Sequence, residues 1–528
     1  MPNPLWKTTG FTPAQIWTTM VRMKISRALP ITLLAALLAS TALAQTDSPN
    51  LTLHGTLTHV QQNAYLAIPF NVPANIERLT VAFHYTGKQD HATLDLGIRD
   101  PQRFRGWSGG NKSSFTIGIP DATPSYLPGP IPPGRWHLLI GVANLRPGKS
   151  ATFTADIYFT QKGKAGGAES FTDHPLSTEA RWYRGDLHMH TAHSDGSCPS
   201  QSGKPVPCPL FITLQKAVDQ GLDFVAVTDH NTISHFNDER EMQPYFDRLL
   251  LIPGREVTTY SGHFNAFGTT SFIDFELGTP GAPDMNSIFR AAHRLGALAS
   301  VNHPADPTGE ICMGCGWSPK NFDMHLADAI EAVNGGDSKY HFHNVEYWRT
   351  QLDRGLRLTA IGGSDTHRPI PMPGEPNAIG HPTTVVYATE LSVPAILKAI
   401  REGHVFIDLT ASRNRLLEVT ASANNQTAHM GDLLAAPAGT TLQLTVHAKA
   451  CEGSKIEFLL DGKPVDGLPQ RTIASADQTL QTEWPGDGKH HWLETDVISP
   501  DGGLQLLGNP IYLNWKPSDS ASKQLPAK

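Results

Sequence analysis

The stretch YRGDLHMHTAHSDGS, residues 183–197, carries three histidines and two aspartates between Asp186 and Asp195. Packing alone seldom calls for imidazoles at this density. His188 and His190 are two residues apart, so on a strand they face the same side. Asp195 follows in the SDG turn. Further along the chain, other apolar runs end the same way. FVAVTDH closes on Asp229 and His230, and LLLIPGREVT carries Glu256. SGHFNAFG carries His263, ALASVNH closes on His303, and LTAIGGSDTH closes on Asp365 and His367, again two apart.

Between these runs lie helical stretches that end at glycine. LQKAVDQG precedes LDFVAVTDH, IFRAAHRLG precedes ALASVNH, EYWRTQLDRG precedes LRLTAIGGSD, and AILKAIREG precedes HVFIDL. Glycine just past a helix end is the usual left-handed cap. Repeated helix–glycine–strand units predict parallel strands with crossover helices, and residues 181–412 have room for a (β/α) barrel. The polar strand ends then fall on one rim. A single strand-end His or Asp is more often a cap or a satisfied core residue. Nine in series (His188, His190, Asp195, His230, Glu256, His263, His303, Asp365 and His367) read as a polynuclear metal centre. His193 lies among them and either joins them or faces solvent. Asp186 and Asp229 face the opposite side of their strands, which suits supporting roles.

The flanks read differently. Residues 45–160 alternate apolar and polar in short runs separated by Pro and Gly, the pattern of a β-sandwich. Residues 161–180 are polar and Gly-rich and read as a linker. Residues 413–516 return to β character, with Asp461-Gly462 as a hairpin turn, and predict an Ig-like β-sandwich. Residues 517–528 predict a disordered tail. Residues 1–44 read as a signal peptide: basic Lys24 and Arg27, the apolar run LPITLLAALLASTALA, and a small-x-small end at Ala42–Ala44. The protein is expected to be exported, periplasmic or secreted, with no transmembrane span once the signal is removed. Cleavage removes Lys7, Arg22, Lys24 and Arg27 and no acid, taking the net charge from −7 to −11. An acidic chain with no basic run is a poor nucleic-acid binder. Of five cysteines, Cys198 and Cys208 are spaced for a short disulfide loop. Cys312 and Cys315 form a C-x-x-C, as a loop disulfide or two thiols, and Cys451 is expected to be buried and unpaired.

The motifs DLHMHTAHSDG, VTDHN, GREVTTYSGHFNAFG, VNHP and GGSDTH resemble, in order and spacing, those of the polymerase and histidinol phosphatase (PHP) superfamily. SDTH followed by GHPTTVVYA resembles its secreted, carbaryl-hydrolase-like branch. The resemblance covers residues 181–412. It implies a distorted (β/α)7 barrel holding two to three divalent ions. By position, His188, His190, Glu256 and Asp365 would hold one ion, and Asp195, His230 and His367 a second. His263 and His303 would hold a third, with Glu256 bridging. Imidazole and carboxylate without thiolate suit Zn, Mn or Fe. Such ions acidify a bound water to hydroxide and polarise the electrophile, so no Ser or Cys nucleophile is required.

The expectation is therefore an exported metal-dependent phosphoesterase acting on a small, anionic ester. Arg368 directly follows His367 and Arg255 directly precedes Glu256. Either would offer a phosphate a fork of donors, or would pair with barrel acids. The alternative is a carbamate, carboxylic ester or amide hydrolase on the same metals, with Tyr260, Phe264, Trp317, Tyr340 and Trp348 lining an aromatic pocket. A third reading is a non-catalytic protein whose β-sandwich domains contact glycan or cell envelope.

Overall fold

The structure, a computed structural model, describes residues 48–163, 168–310, 312–335, 338–371 and 378–516. The signal-peptide and tail expectations lie outside the described residues. The described residues from Pro49 to Lys516 form one compact unit. No described helix is long and apolar enough to cross a membrane.

Eight strands between Leu51 and Gln161 pair into two four-stranded antiparallel sheets. Alternation drives this. In SATFTADIYFTQ (Ser150–Gln161) the inward residues Ala151, Phe153, Ala155 and Ile157 are buried and their neighbours are not. These side chains join Leu79, Val81 and Trp136 in a core of their own.

In the central region, all four glycine-terminated stretches form helices: α1 (Leu210–Gln220), α3 (Met285–Arg294), α4 (Ser338–Asp353) and α5 (Val393–Glu402). A fifth, α2, spans His235–Met242. Gly221 and Gly403 take the left-handed conformation, φ 78° and 82°, just past α1 and α5.

The helices do not assemble a (β/α)7 barrel. Among the described residues strand makes up 41% and helix 13%, and no sheet closes on itself. The strands Gly254–Thr259, Gly262–Phe267, Leu298–Val301, Ala329–Asn334 and Thr359–Gly363 form a five-stranded sheet. Leu250–Leu251, Phe224–Val225, Arg181–Asp186, Thr383–Ala388 and Val405–Asp408 lie side by side in another, which continues into the C-terminal strands. Two isolated bridges, Met189–Thr366 and His230–Glu256, link residues at the margins of these sheets. The expectation fails for a physical reason. A left-handed glycine cap is a local event and does not choose which strands pair. Gly254–Thr259 and Gly262–Phe267 join as a hairpin, and Thr383–Ala388 runs antiparallel to both its neighbours. Val405–Asp408 then pairs with Leu504–Gly508, outside the central region.

The C-terminal strands show the same period-two burial, as in TLQLTVHAK (Thr441–Lys449), and three of them form a sheet with Gln426–His429. Their side chains merge with the central core. Trp492, Leu507, Tyr512 and Trp515 pack with Val257, Phe264 and Trp348.

Candidate metal centre

Most of the candidate ligands sit just past the end of a buried strand. His188 and His190 follow Arg181–Asp186, and His303 follows Leu298–Val301. Asp365 and His367 follow Thr359–Gly363, while Glu256 and His263 lie within the hairpin. Asp186 fastens this rim. Its fully buried carboxylate accepts from the backbone N–H of His188 (3.2 Å), Ser364 (3.0 Å) and Gly380 (2.7 Å). Asp229 accepts from Thr191 N (2.8 Å), Thr191 Oγ1 (2.6 Å) and Ser194 Oγ, shaping the turn that presents Asp195. His303 and Asp365 have positive φ, 29° and 50°. Non-glycine residues seldom adopt this conformation, and strain of this kind concentrates at functional sites.

All nine candidates converge in overlapping groups. His188 Nε2 lies 3.2 Å from Asp365 Oδ1 and 3.5 Å from Glu256 Oε2. His190 Nε2 lies 3.0 and 3.6 Å from the same two atoms. On the other side of Glu256, Oε1 is 3.2 Å from His263 Nδ1 and 3.5 Å from His303 Nε2. Asp195 Oδ2 reaches His367 Nε2 at 3.3 Å and His230 Nε2 at 3.8 Å, and His190 belongs to that group as well. His230 Nδ1 is 2.7 Å from Glu256 Oε2 but pairs with Thr258 Oγ1, also at 2.7 Å. Glu256 Oε2 and His188 Nε2 are thus buried at ion-pair distance from their neighbours but without a well-directed hydrogen bond. Buried polar atoms are rarely left so. Both face the cluster, and a divalent cation is what this imidazole and carboxylate set suits.

The electrostatics agree. Burial pushes the Glu256 and Asp365 carboxyls up, but the surrounding imidazoles outweigh it and hold both well below the usual range. Burial lowers His188, His303 and His367, yet facing carboxylates win. His188 lies well above its ordinary value, and His303 and His367 are raised to about 9. His190, stacked between the His230 and His367 rings, is lowered to about 4, chiefly by burial. The cluster attracts positive charge at its centre, which the imidazoles supply as protons and metal ions would supply instead.

The group around Asp195 is the open side. The Asp195 and His367 side chains are 57% and 39% exposed, against 0–4% for His188, His190, Glu256, His263 and His303. Arg368 is exposed just beyond His367.

Several sequence expectations need correction. His193 turns from the cluster to Ser234 Oγ (2.8 Å) and Asp238 Oδ2 (3.0 Å). Arg255 lies on the opposite face of its strand, buried, donating to Ile273 O and stacked over Phe272. Alternation along the strand puts it out of a substrate's reach. Phe264 and Trp348 are core, Trp317 packs on Phe289 and Phe322, and Tyr260 is 85% exposed, so these four form no common pocket. The Tyr340 side chain lies outside the described residues. A cleft lined by Trp182, Tyr387, Glu418 and His447 contains none of the nine candidates.

The sequence reading missed Glu331. Its Oε1 lies 3.0 Å from His188 Nδ1, and its Oε2 accepts from His303 N (3.2 Å) and Asn334 Nδ2 (3.0 Å). A carboxylate on the far nitrogen of a ligand imidazole fixes its tautomer and aim. Gly363 makes room, for a Cβ there would come within 2.4 Å of Glu331 Oε1 and His188 Cβ. The available signal was one acid inside the apolar run AIEAVN, residues 329–334.

No protein-family model matches the chain, and no curated protein matches it. Among solved structures, it is similar to a Bifidobacterium adolescentis chain named as a candidate metal-dependent phosphoesterase. The match is 16% identical, covers 37% of this chain and 90% of that one, and has a TM-score of 0.25.

Proposed function

We propose that this chain is an exported metal-dependent hydrolase whose preferred substrate is a small phosphoester. One observation carries the reading: nine imidazole and carboxylate side chains converge, with Glu256 Oε2 and His188 Nε2 buried among them without a well-directed hydrogen bond. The Glu256, His188, His190 and Asp365 group, the Asp195, His230 and His367 group, and the His263 and His303 pair would hold the ions. Bound divalent ions there supply Lewis acidity and an acidified water.

The chain's own residues do the rest. Glu331 and Asp186 hold the His188 and Ser364 segments in place, so little rearrangement is needed as charge develops. Asp195, His230 and His367 form the exposed approach. A substrate entering there passes Arg368, whose guanidinium is the chain's candidate donor to a non-bridging phosphate oxygen. Tyr260, Phe264, Trp317 and Trp348 form no common pocket, which favours a phosphoester over a neutral aryl carbamate.

Protein purified without chelator should carry about two to three equivalents of first-row transition metal by inductively coupled plasma mass spectrometry. It should turn over p-nitrophenyl phosphate or bis-p-nitrophenyl phosphate faster than 1-naphthyl methylcarbamate. Asp365→Ala and His190→Ala should each abolish turnover. A protein that holds no metal and takes up neither Zn nor Mn would exclude the reading.

A further inference from the structure

The loop at residues 312–317 lies against the His263 and His303 side of the cluster. The Met313 carbonyl accepts from His263 Nε2 at 3.3 Å, and the Cys315 carbonyl accepts from His303 Nδ1 at 3.1 Å. These contacts turn the opposite nitrogens, His263 Nδ1 and His303 Nε2, toward Glu256 Oε1. The loop is closed by the Cys312–Cys315 disulfide. Gly314 sits between the cysteines at φ 87°, where a Cβ would meet Thr259 O at 2.2 Å and Tyr260 at 3.0 Å. The loop is thus pressed onto the end of the strand that carries Glu256. The two sulfurs and a His263 nitrogen all lie within 4.8 Å of one another.

We propose that reduction of the Cys312–Cys315 disulfide opens a distinct metal site, made of Cys312, Cys315 and His263, that takes a thiophilic divalent ion such as zinc or cadmium. The disulfide accepts two electrons and two protons from a dithiol reductant, which leaves as its own disulfide. On binding the ion, each new thiol releases its proton to solvent. Two thiolates and an imidazole are a soft donor set, unlike the nitrogen and oxygen set around Glu256. Tetrahedral coordination leaves a fourth position for water. A neutral imidazole gives an ion one nitrogen. When Nε2 leaves the Met313 carbonyl for the thiolate site, its proton passes to Nδ1, and His263 then has no free nitrogen for an ion of the Glu256 group. The two sets compete for one side chain, and the redox state of the cysteine pair decides whether the competitor exists.

Cobalt(II) is the probe, because thiolate ligation gives it a charge-transfer absorption in the near ultraviolet that nitrogen and oxygen ligands do not. The full chain would be reduced with dithiothreitol, freed of reductant under anaerobic conditions, and titrated. The band should grow to about one equivalent in reduced wild type and in Cys198→Ser/Cys208→Ser. It should be absent from oxidised wild type, from Cys312→Ser/Cys315→Ser, and from reduced wild type blocked with iodoacetamide. That last arm needs no variant to fold. His263→Ala should weaken the site roughly 10- to 100-fold. A reduced wild type without the band overturns the proposal. So does a band that persists in Cys312→Ser/Cys315→Ser, or full affinity in His263→Ala. The reading does not depend on the hydrolase assignment, since the band reports sulfur ligation whether or not turnover is seen.

Discussion

The two β-rich flanks are fastened to the central region, which carries the candidate metal centre, by different physics. The N-terminal sheets keep a separate core and meet the rest of the chain through polar contacts. Asp121, fully buried, pairs with Arg78 at 2.8 Å and with Arg240 of α2. Arg78 also donates to Thr270 Oγ1 (2.8 Å), and Ala122 N to Asn237 Oδ1 (3.2 Å). The C-terminal strands instead share both sheet and core with the central region. Val385 and Phe406 pack with Leu417 and Leu506, and Arg349 of α4 reaches Glu494 at 2.7 Å and Asp496 at 3.1 Å. Apolar burial is non-directional and grows with area. A shared core therefore makes the C-terminal strands part of the central fold, whereas the N-terminal sheets keep a core of their own and are held by a polar clamp.

The harshest test is truncation. Removing residues 413–516 should leave an insoluble chain without metal. Removing residues 48–163 should leave a soluble one with unchanged metal content. Both would be followed by light scattering and metal analysis, and equal behaviour would erase the contrast.

Arg349→Met tests the C-terminal clamp more gently. It strands two buried carboxyls and should cost about 3–5 kcal/mol in urea unfolding at neutral pH. Burial already raises Glu494 and Asp496, the latter well above the carboxylate range and further through Glu494. A raised carboxyl binds more protons folded than unfolded, so its penalty appears as pH rises. The variant should therefore recover part of its loss in mild acid.

Asp121→Asn should cost about 1–3 kcal/mol, felt only in release of the N-terminal sheets by limited proteolysis. The wild type should respond to pH with the opposite sign. Burial raises the Asp121 carboxyl, but Arg78 and Arg240 outweigh it and hold the group below its ordinary value of 3.8. Its contribution is complete above that value and is lost as pH falls through the depressed one. Release should rise at strongly acidic pH in the wild type and stay flat in the variant. If acid releases both equally, the clamp is elsewhere.

Glu331→Gln should have the smallest effect on either flank. It should leave both unfolding transitions in place and weaken metal binding roughly 10-fold in chelator competition. A shift in unfolding without a change in affinity would make Glu331 a purely structural residue.

Much of the candidate centre was legible because polar side chains interrupt buried apolar runs, and an interruption is a local event. His188, His190, Glu256 and Asp365 announce themselves this way, as do the helix ends at Gly221 and Gly403. Glu331 did not, because one acid within AIEAVN makes no local pattern, and the residues it supports, His188 and His303, lie 143 and 28 residues away. The facings of His193 and Arg255 were likewise open until their packing partners were known.

By itself, then, the sequence determined what is periodic or short-range: the strands and helices, their caps, and the residue types at the strand ends. Only the tertiary structure decided which strand edges pair. It opened the expected barrel into two sheets, extended one of them through Val405–Asp408 into Leu504–Gly508, and brought the strand ends together around Glu256. Backbone pairing is chemically the same at every strand edge, so the choice rests on how distant faces bury one another, which no short stretch encodes.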